Sequence, residues 1–229
     1  MNTTADQPAT KTSKSKKTYD AVRTKEMILD AAEELFAEQG YSAARIDAIA
    51  KASGYNKSLI YQYYQDKLGL YTEVVKRADQ RSEQMLGDVL ESMMDDELLR
   101  NADRMKHFLE ALIGKSYQYL LDNPRFLKIY AWEAAEGWRT WNQITYQPDD
   151  TTTFNELARK AQENGVLRAE LDPFYFPIFI MHNVIHSVLS IQRFNAKANI
   201  PNDEQSVEHT KQQIARFVIN GLLAPSHLR

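Results

Sequence analysis

The chain has no cysteine among its 229 residues. That absence excludes a disulfide framework, a thiol nucleophile and any thiolate-held metal. Glycine and proline are scarce, at eight and seven residues. Alternating runs of Val, Ile and Thr are few, so an all-α chain is expected. No stretch reaches about eighteen consecutive apolar residues, and no membrane-spanning helix is expected. The first twenty residues are polar and lysine-rich, without the apolar stretch of a signal peptide. A cytoplasmic location is the expectation. The sequence shows no internal repeat, no coiled-coil heptads, no Gly-rich phosphate loop and no HExxH pattern. With no nucleophile–base pair in sight, neither an enzyme nor a bound cofactor is expected.

Charge is unevenly spread. Residues 1–69 carry ten Lys+Arg against nine Asp+Glu, net +1, and the remainder eighteen against twenty-two, net −4. Much of the acid in the first part (Glu26, Asp30, Glu33, Glu34, Glu38) belongs to one helix-like stretch. The basic residues gather at Lys11–Lys17 and at Arg23, Lys25, Arg45, Lys51, Lys57 and Lys67. An acidic chain with one basic face is still compatible with DNA, through salt-sensitive phosphate contacts. Residues 1–20 lack a helical period and read as a structureless basic arm, either a solubilising tail or a segment that reaches DNA.

The stretch from Thr24 to Val75 is the most informative. Ile28, Leu29, Ala32, Leu35 and Phe36 give a first helix one apolar face. Gly40 sits where a left-handed cap is expected. A short helix with Ile46, Ile49 and Ala50 inward is followed by Ser53-Gly54-Tyr55, a tight turn. Asn56 is a good N-cap for a third helix. Ile60 and Tyr64 face inward there, leaving Lys57, Ser58, Leu59, Tyr61, Gln62 and Tyr63 outward or along its edges. Two short helices joined by a glycine turn form a helix-turn-helix, which lays its second helix in the DNA major groove. Lysine, serine and glutamine suit base edges and phosphates, and leucine suits a thymine methyl. Asp66-Lys67 opens a long helix whose N-terminus favours a phosphate. The competing account is a solvated bundle face, which would not require the glycine-turned pair.

With LFAEQGY (Leu35 to Tyr41) and IAKASGYNKSLIYQYYQDK (Ile49 to Lys67), the segment resembles the N-terminal domain of the TetR family of transcriptional regulators. The resemblance covers about fifty residues. It implies a homodimer in which each three-helix DNA-binding head is joined by a fourth helix to a helical body for ligand binding and dimerisation. It implies phosphate or base contacts by Tyr61, Tyr63 and Lys67, and base reading by Lys57, Ser58 and Leu59. The family's usual threonine cap of the second helix is replaced here by Arg45. Arginine still reaches a phosphate, and Ser42 is the alternative cap. The domains expected are an arm (1–20), a helix-turn-helix domain (21–69) and a helical effector-binding and dimerisation domain (70–229).

Beyond the head, helices are predicted over 67–91, 98–121, 123–136, 153–164, 173–196 and from 203 to 222. An irregular aromatic segment spans 137–150. The helix from Pro173 is apolar around most of its circumference, from Phe174, Phe176 and Phe179 to Ile185, Leu189 and Ile191. With Val207, Ile214, Phe217, Val218, Leu222 and Leu223 of the last helix, it is the expected dimer interface; burial within a monomer is the alternative. An effector pocket is expected from Phe126, Tyr130, Trp132, Glu133, Trp138 and Trp141, with His182 and His186 as polar members. Core packing accounts equally for single aromatics. The histidine pair, at i and i+4, has the spacing of a metal chelate, but core or interface hydrogen bonding is the simpler account and no metal is expected. The overall reading is a repressor released from its operator by a small-molecule effector. An activator or ligand-insensitive DNA-binding dimer is the alternative. Partners are double-stranded DNA, an effector and a second copy, with no membrane.

Overall fold

Helix ends fall where the sequence supplies breakers and caps. The computed structural model describes residues 12–95, 97–144, 146 and 152–228, with the backbone alone for 12–19. Among the described residues are nine α-helices: α1 (Thr12–Ala43), α2 (Ile46–Ser53), α3 (Lys57–Tyr64), α4 (Lys67–Met93), α5 (Ala102–Asp122), α6 (Pro124–Ala135), α7 (Thr152–Glu163), α8 (Tyr175–Ala198) and α9 (Glu204–Leu222). The all-α expectation holds for them.

The first helix departs from expectation. It starts at Thr12, so the structureless arm expected up to residue 20 is helical from residue 12, and residues 1–11 lie outside the described ones. No glycine or proline interrupts residues 12–39, and a nucleated helix propagates through such a run. Gly40 then breaks it at φ 74°, ψ 167°. A Cβ there would sit 3.1 Å from the Trp132 ring.

Two compact units emerge. One holds the described residues up to Val75 together with residues 132–144; the other holds 76–131 and the described residues from 146 onward. The first boundary thus falls inside α4, nearly two turns beyond the residue 69 that the sequence suggested. Segment 132–144, expected to belong to the body, is part of the head.

The head's core is Ile28, Ala32, Phe36, Ile49, Ile60, Leu70, Tyr71 and Val74, all fully or almost fully buried. Tyr71 stands edge-on to both Phe36 and Tyr41, with centroids 5.0 Å away in each case.

In the second unit α5 packs on α8 and α9, and α7 and α9 both pack on α8. Phe108, Leu109, Ile113, Tyr117, Val184 and Val218 fill its core. After α9 the chain pairs antiparallel through Leu223 with Leu167, where Arg168 N–H donates to Leu222 O and Ala224 N–H to Val166 O.

The broadly apolar circumference of α8 has two explanations, one for each side. Phe176, Ile180, Val184 and Ile185 are buried in the chain's own core, as are Ile214, Val218, Leu222 and Leu223. Those residues are corrected from interface to core. Phe174, Phe179 and Leu189 are exposed, and Phe217 on α9 is 70% exposed.

Candidate nucleic-acid interface

The recognition-helix geometry is assembled by short-range bonds. Gly54 caps α2 in the left-handed region (φ 77°), and its N–H donates to Ala50 O. Asn56 then caps α3, its side-chain oxygen accepting from Leu59 N at 2.9 Å. Both roles match the sequence reading. Arg45 occupies the N-cap position of α2 in extended conformation and makes no side-chain cap bond. Ser42 does not replace it, because its hydroxyl donates to Glu136 Oε2 instead.

With Ile60 and Tyr64 buried, α3 turns Lys57, Ser58, Tyr61 and Gln62 to solvent, while Leu59 and Tyr63 are half-buried. Tyr64 is anchored by its hydroxyl, which donates to Lys25 O at 3.0 Å. Lys25 also lies over the Tyr63 ring, 5.3 Å from its centroid, so Tyr63 is an edge residue held against α1. Lys57 forms an ion pair with Asp47 of α2. Both side chains are exposed, so the pair is worth about 0–1 kcal/mol and opens at little cost.

The turn into α4 contains a requirement that the sequence reading missed. Asp66 caps the helix, its carboxylate accepting from Gly69 N at 2.7 Å. A Cβ on Gly69 would lie 2.1 Å from Tyr64 O, so only glycine fits. The available signal was a glycine two residues into a helix, where glycine is otherwise unfavourable. Lys67, expected at a phosphate, is half-buried. Its ammonium donates to Ser42 O at 3.3 Å and lies 4.4 Å from the Tyr41 ring centroid. Burial lowers its pKa from the ordinary lysine value, and the Glu136 carboxylate opposes that shift. Lys67 therefore ties the end of α1 to the start of α4.

The eight expected effector residues divide four and four. Trp132, Glu133, Trp138 and Trp141 belong to the head, and Phe126, Tyr130, His182 and His186 to the second unit. Glu133 is buried, and its oxygens accept from the Tyr71 hydroxyl at 2.6 Å and from Trp141 N at 3.1 Å. Both oxygens are thus engaged by internal donors rather than left for a cationic ligand. Trp132 donates from its indole to Ala37 O. Phe126 and Tyr130 are half-buried against the body core. His182 and His186 are exposed on α8, so of the core and interface roles expected for them the core one is excluded. A shallow cleft between Gln162, Leu171, Phe176 and Phe179 has room for about one water molecule, too little for a small-molecule ligand. None of the eight lines it. None of the described helices is long and apolar enough to cross a membrane.

Comparison with known proteins agrees with this geometry. The family of bacterial regulatory proteins known as the tetR family matches residues 28–74. The chain is 28% identical over 102 residues to the HTH-type transcriptional regulator AcrR of Shigella flexneri, covering 44% of this chain and 47% of AcrR. It is 31% identical over 117 residues to the HTH-type transcriptional repressor SCO4008 of Streptomyces coelicolor, covering 51% and 53%. The match thus spans about half the length of each relative. Among solved structures, the ketosteroid regulator KstR2 of Mycobacterium tuberculosis superposes with a TM-score of 0.61 at 19% identity, over 87% of this chain and 94% of KstR2. That likeness speaks for the fold. The glycine-turned helix pair, the capped helix that follows it and the match over 28–74 together identify this segment as similar to the DNA-binding domain of the tetR family of bacterial regulatory proteins.

Proposed function

We propose that this chain is a homodimeric, sequence-specific DNA-binding repressor acting in the cytoplasm and released from its operator by a small-molecule effector. The observation that carries the DNA-binding part is the exposed face of α3. Lys57, Ser58, Tyr61 and Gln62 project together from a helix whose opposite side is fixed by Ile60 and Tyr64. Leu59 and Tyr63 flank that face, and Arg45 and Lys67 supply cations beside it. Lysine and glutamine read base edges, and the phenols and remaining cations hold phosphates.

Two heads are needed to occupy successive major grooves about 34–36 Å apart. The exposed sides of α8 and α9, with Phe179, Leu189 and Phe217, supply the surface for a second copy. Phe126 and Tyr130 of α6 are the aromatic residues retained for effector contact in the body. An effector that favours the non-binding arrangement by about 5.5 kcal/mol moves the population from 1:99 to 99:1. The relative named as a repressor supports that direction of control.

The test is selection of an operator from random DNA with the full chain, followed by sedimentation and operator binding of Leu189→Glu. A selected palindrome is expected, and the variant should run as a monomer and lose tight binding while keeping its helical content. Absence of any enriched sequence would sink the DNA-binding reading. A monomeric wild type that binds its operator tightly would sink the dimer.

A further inference from the structure

The outward side of α8 carries a regular stripe. Tyr175, Phe179, His182, His186, Leu189 and Arg193 are all exposed. They follow one another at steps of four, three, four, three and four residues. That alternation of fours and threes keeps all six on one side of the helix, the arrangement along which two helices pack side by side. It was not legible as a heptad in the sequence, because buried apolar residues on the other side of the same helix mask it.

The stripe is symmetric about position 184. Antiparallel pairing of α8 with its copy, around a two-fold axis at that midpoint, places chemically matched residues opposite one another. Phe179 meets Leu189 of the second copy, an apolar pair. Tyr175 meets Arg193, a cation over an aromatic ring. His182 meets His186, and the two-fold repeats this contact, so four imidazoles flank the axis.

Within one chain the His182 and His186 rings lie on consecutive turns, with centroids 6.0 Å apart and an interplanar angle of 65°. Among the described residues of one chain, no group of three or more His, Cys, Asp or Glu is placed to hold a metal. The geometry points to a transition-metal site shared by two copies, built from His182 and His186 of each. Four neutral imidazoles form the tetrahedral nitrogen set that Zn²⁺ accepts, and all-nitrogen ligation disfavours Mg²⁺ and Ca²⁺. The inference rests on the homodimer through α8 proposed above. The metal would lock the two bodies in one register.

The experiment uses the untagged full chain, stripped with chelator, in zinc competition against a chromogenic indicator and in sedimentation with and without Zn²⁺. One zinc per two chains is expected, with the dimer persisting to lower concentration when zinc is present. H182Q and H186Q should each lose that uptake while keeping wild-type helical content, since both side chains are exposed. A dimeric wild type that takes up no more zinc than the double variant overturns the metal site and leaves the dimer standing. A wild type that is monomeric with and without zinc overturns both. One zinc per chain held by monomers, or uptake that survives both substitutions, also overturns the shared site.

Discussion

The Tyr71 hydroxyl donates to Glu133 Oε1 at 2.6 Å, joining α4 to a residue sixty-two positions later in the chain. Both side chains are buried. The second carboxylate oxygen accepts from Trp141 N, so Glu133 fastens segment 132–144 to the head at two points. Tyr71→Phe removes one donor from a buried carboxylate. A hydrogen bond to a charged group is worth about 1.5–3 kcal/mol, and a loss of that size in head stability is expected in denaturant melts. Glu133→Met should lose a similar amount from this bond, because it removes the acceptor of the Tyr71 hydroxyl. A double variant no worse than either single one would show that the two residues act as one unit. Fully additive losses would contradict the coupling.

Gly69→Ala gives opposite signs under two descriptions. Helix propensity alone favours alanine by about 0.5–1 kcal/mol. The tertiary structure places the new Cβ 2.1 Å from Tyr64 O, and forced overpacking costs about 1–3 kcal/mol. Backbone is the obstacle, so no side chain can swing away. Destabilisation is expected, with weakened DNA binding because the α3–α4 turn shifts. A raised denaturation midpoint would show that the Tyr64 carbonyl yields to a side chain at this turn.

Lys57→Ala should lower operator preference by about 1–3 kcal/mol at the base it reads. Asp47→Asn should raise affinity modestly by freeing Lys57 from its ion pair. Lys67→Ala should weaken all sequences alike and reduce the salt slope by about one unit. Binding across a salt series and a panel of operator variants separates the three. An unchanged preference in Lys57→Ala removes it as a reader.

Alkaline stability follows from three tyrosines. Burial raises the hydroxyl pKa of Tyr71, with further contributions from Glu133 and Glu136; burial alone raises Tyr117; burial and then Asp66 raise Tyr41. A raised folded pKa means that the folded state holds its protons where the unfolded state releases them. The stabilisation is complete below the ordinary phenol value of about 10 and is lost as pH rises above it through the folded values. Ultraviolet titration should show a second step, above the ordinary phenol range, coincident with loss of helical signal. Tyr117→Phe should shrink that second step. A single titration at the ordinary value would contradict the burial of all three.

Local structure was legible because its causes are local. Gly54 supplies a positive φ, Asn56 supplies an oxygen three residues before its donor, and Ile60 and Tyr64 share a helix face. Each of these is decided within one turn of chain. The identity of the outward set on α3 followed from the same periodicity, as did the helices from α4 to α9. Periodicity also misled at α8, where it shows how much of a helix is apolar but not which neighbour covers each side. Only packing sent Ile185 into the chain's own core and left Leu189 outside. The aromatic segment around Gly137 carried no sign that it belongs to the head, because Glu133 and Tyr71 meet across sixty-two residues and no local rule links them. Gly69 looked like a weak point in a helix until the Tyr64 carbonyl was brought beside it. Composition, caps and spacing determined the helices and the outward face of α3. Contacts between distant segments decided which polar groups were consumed internally, and hence which remained free for function.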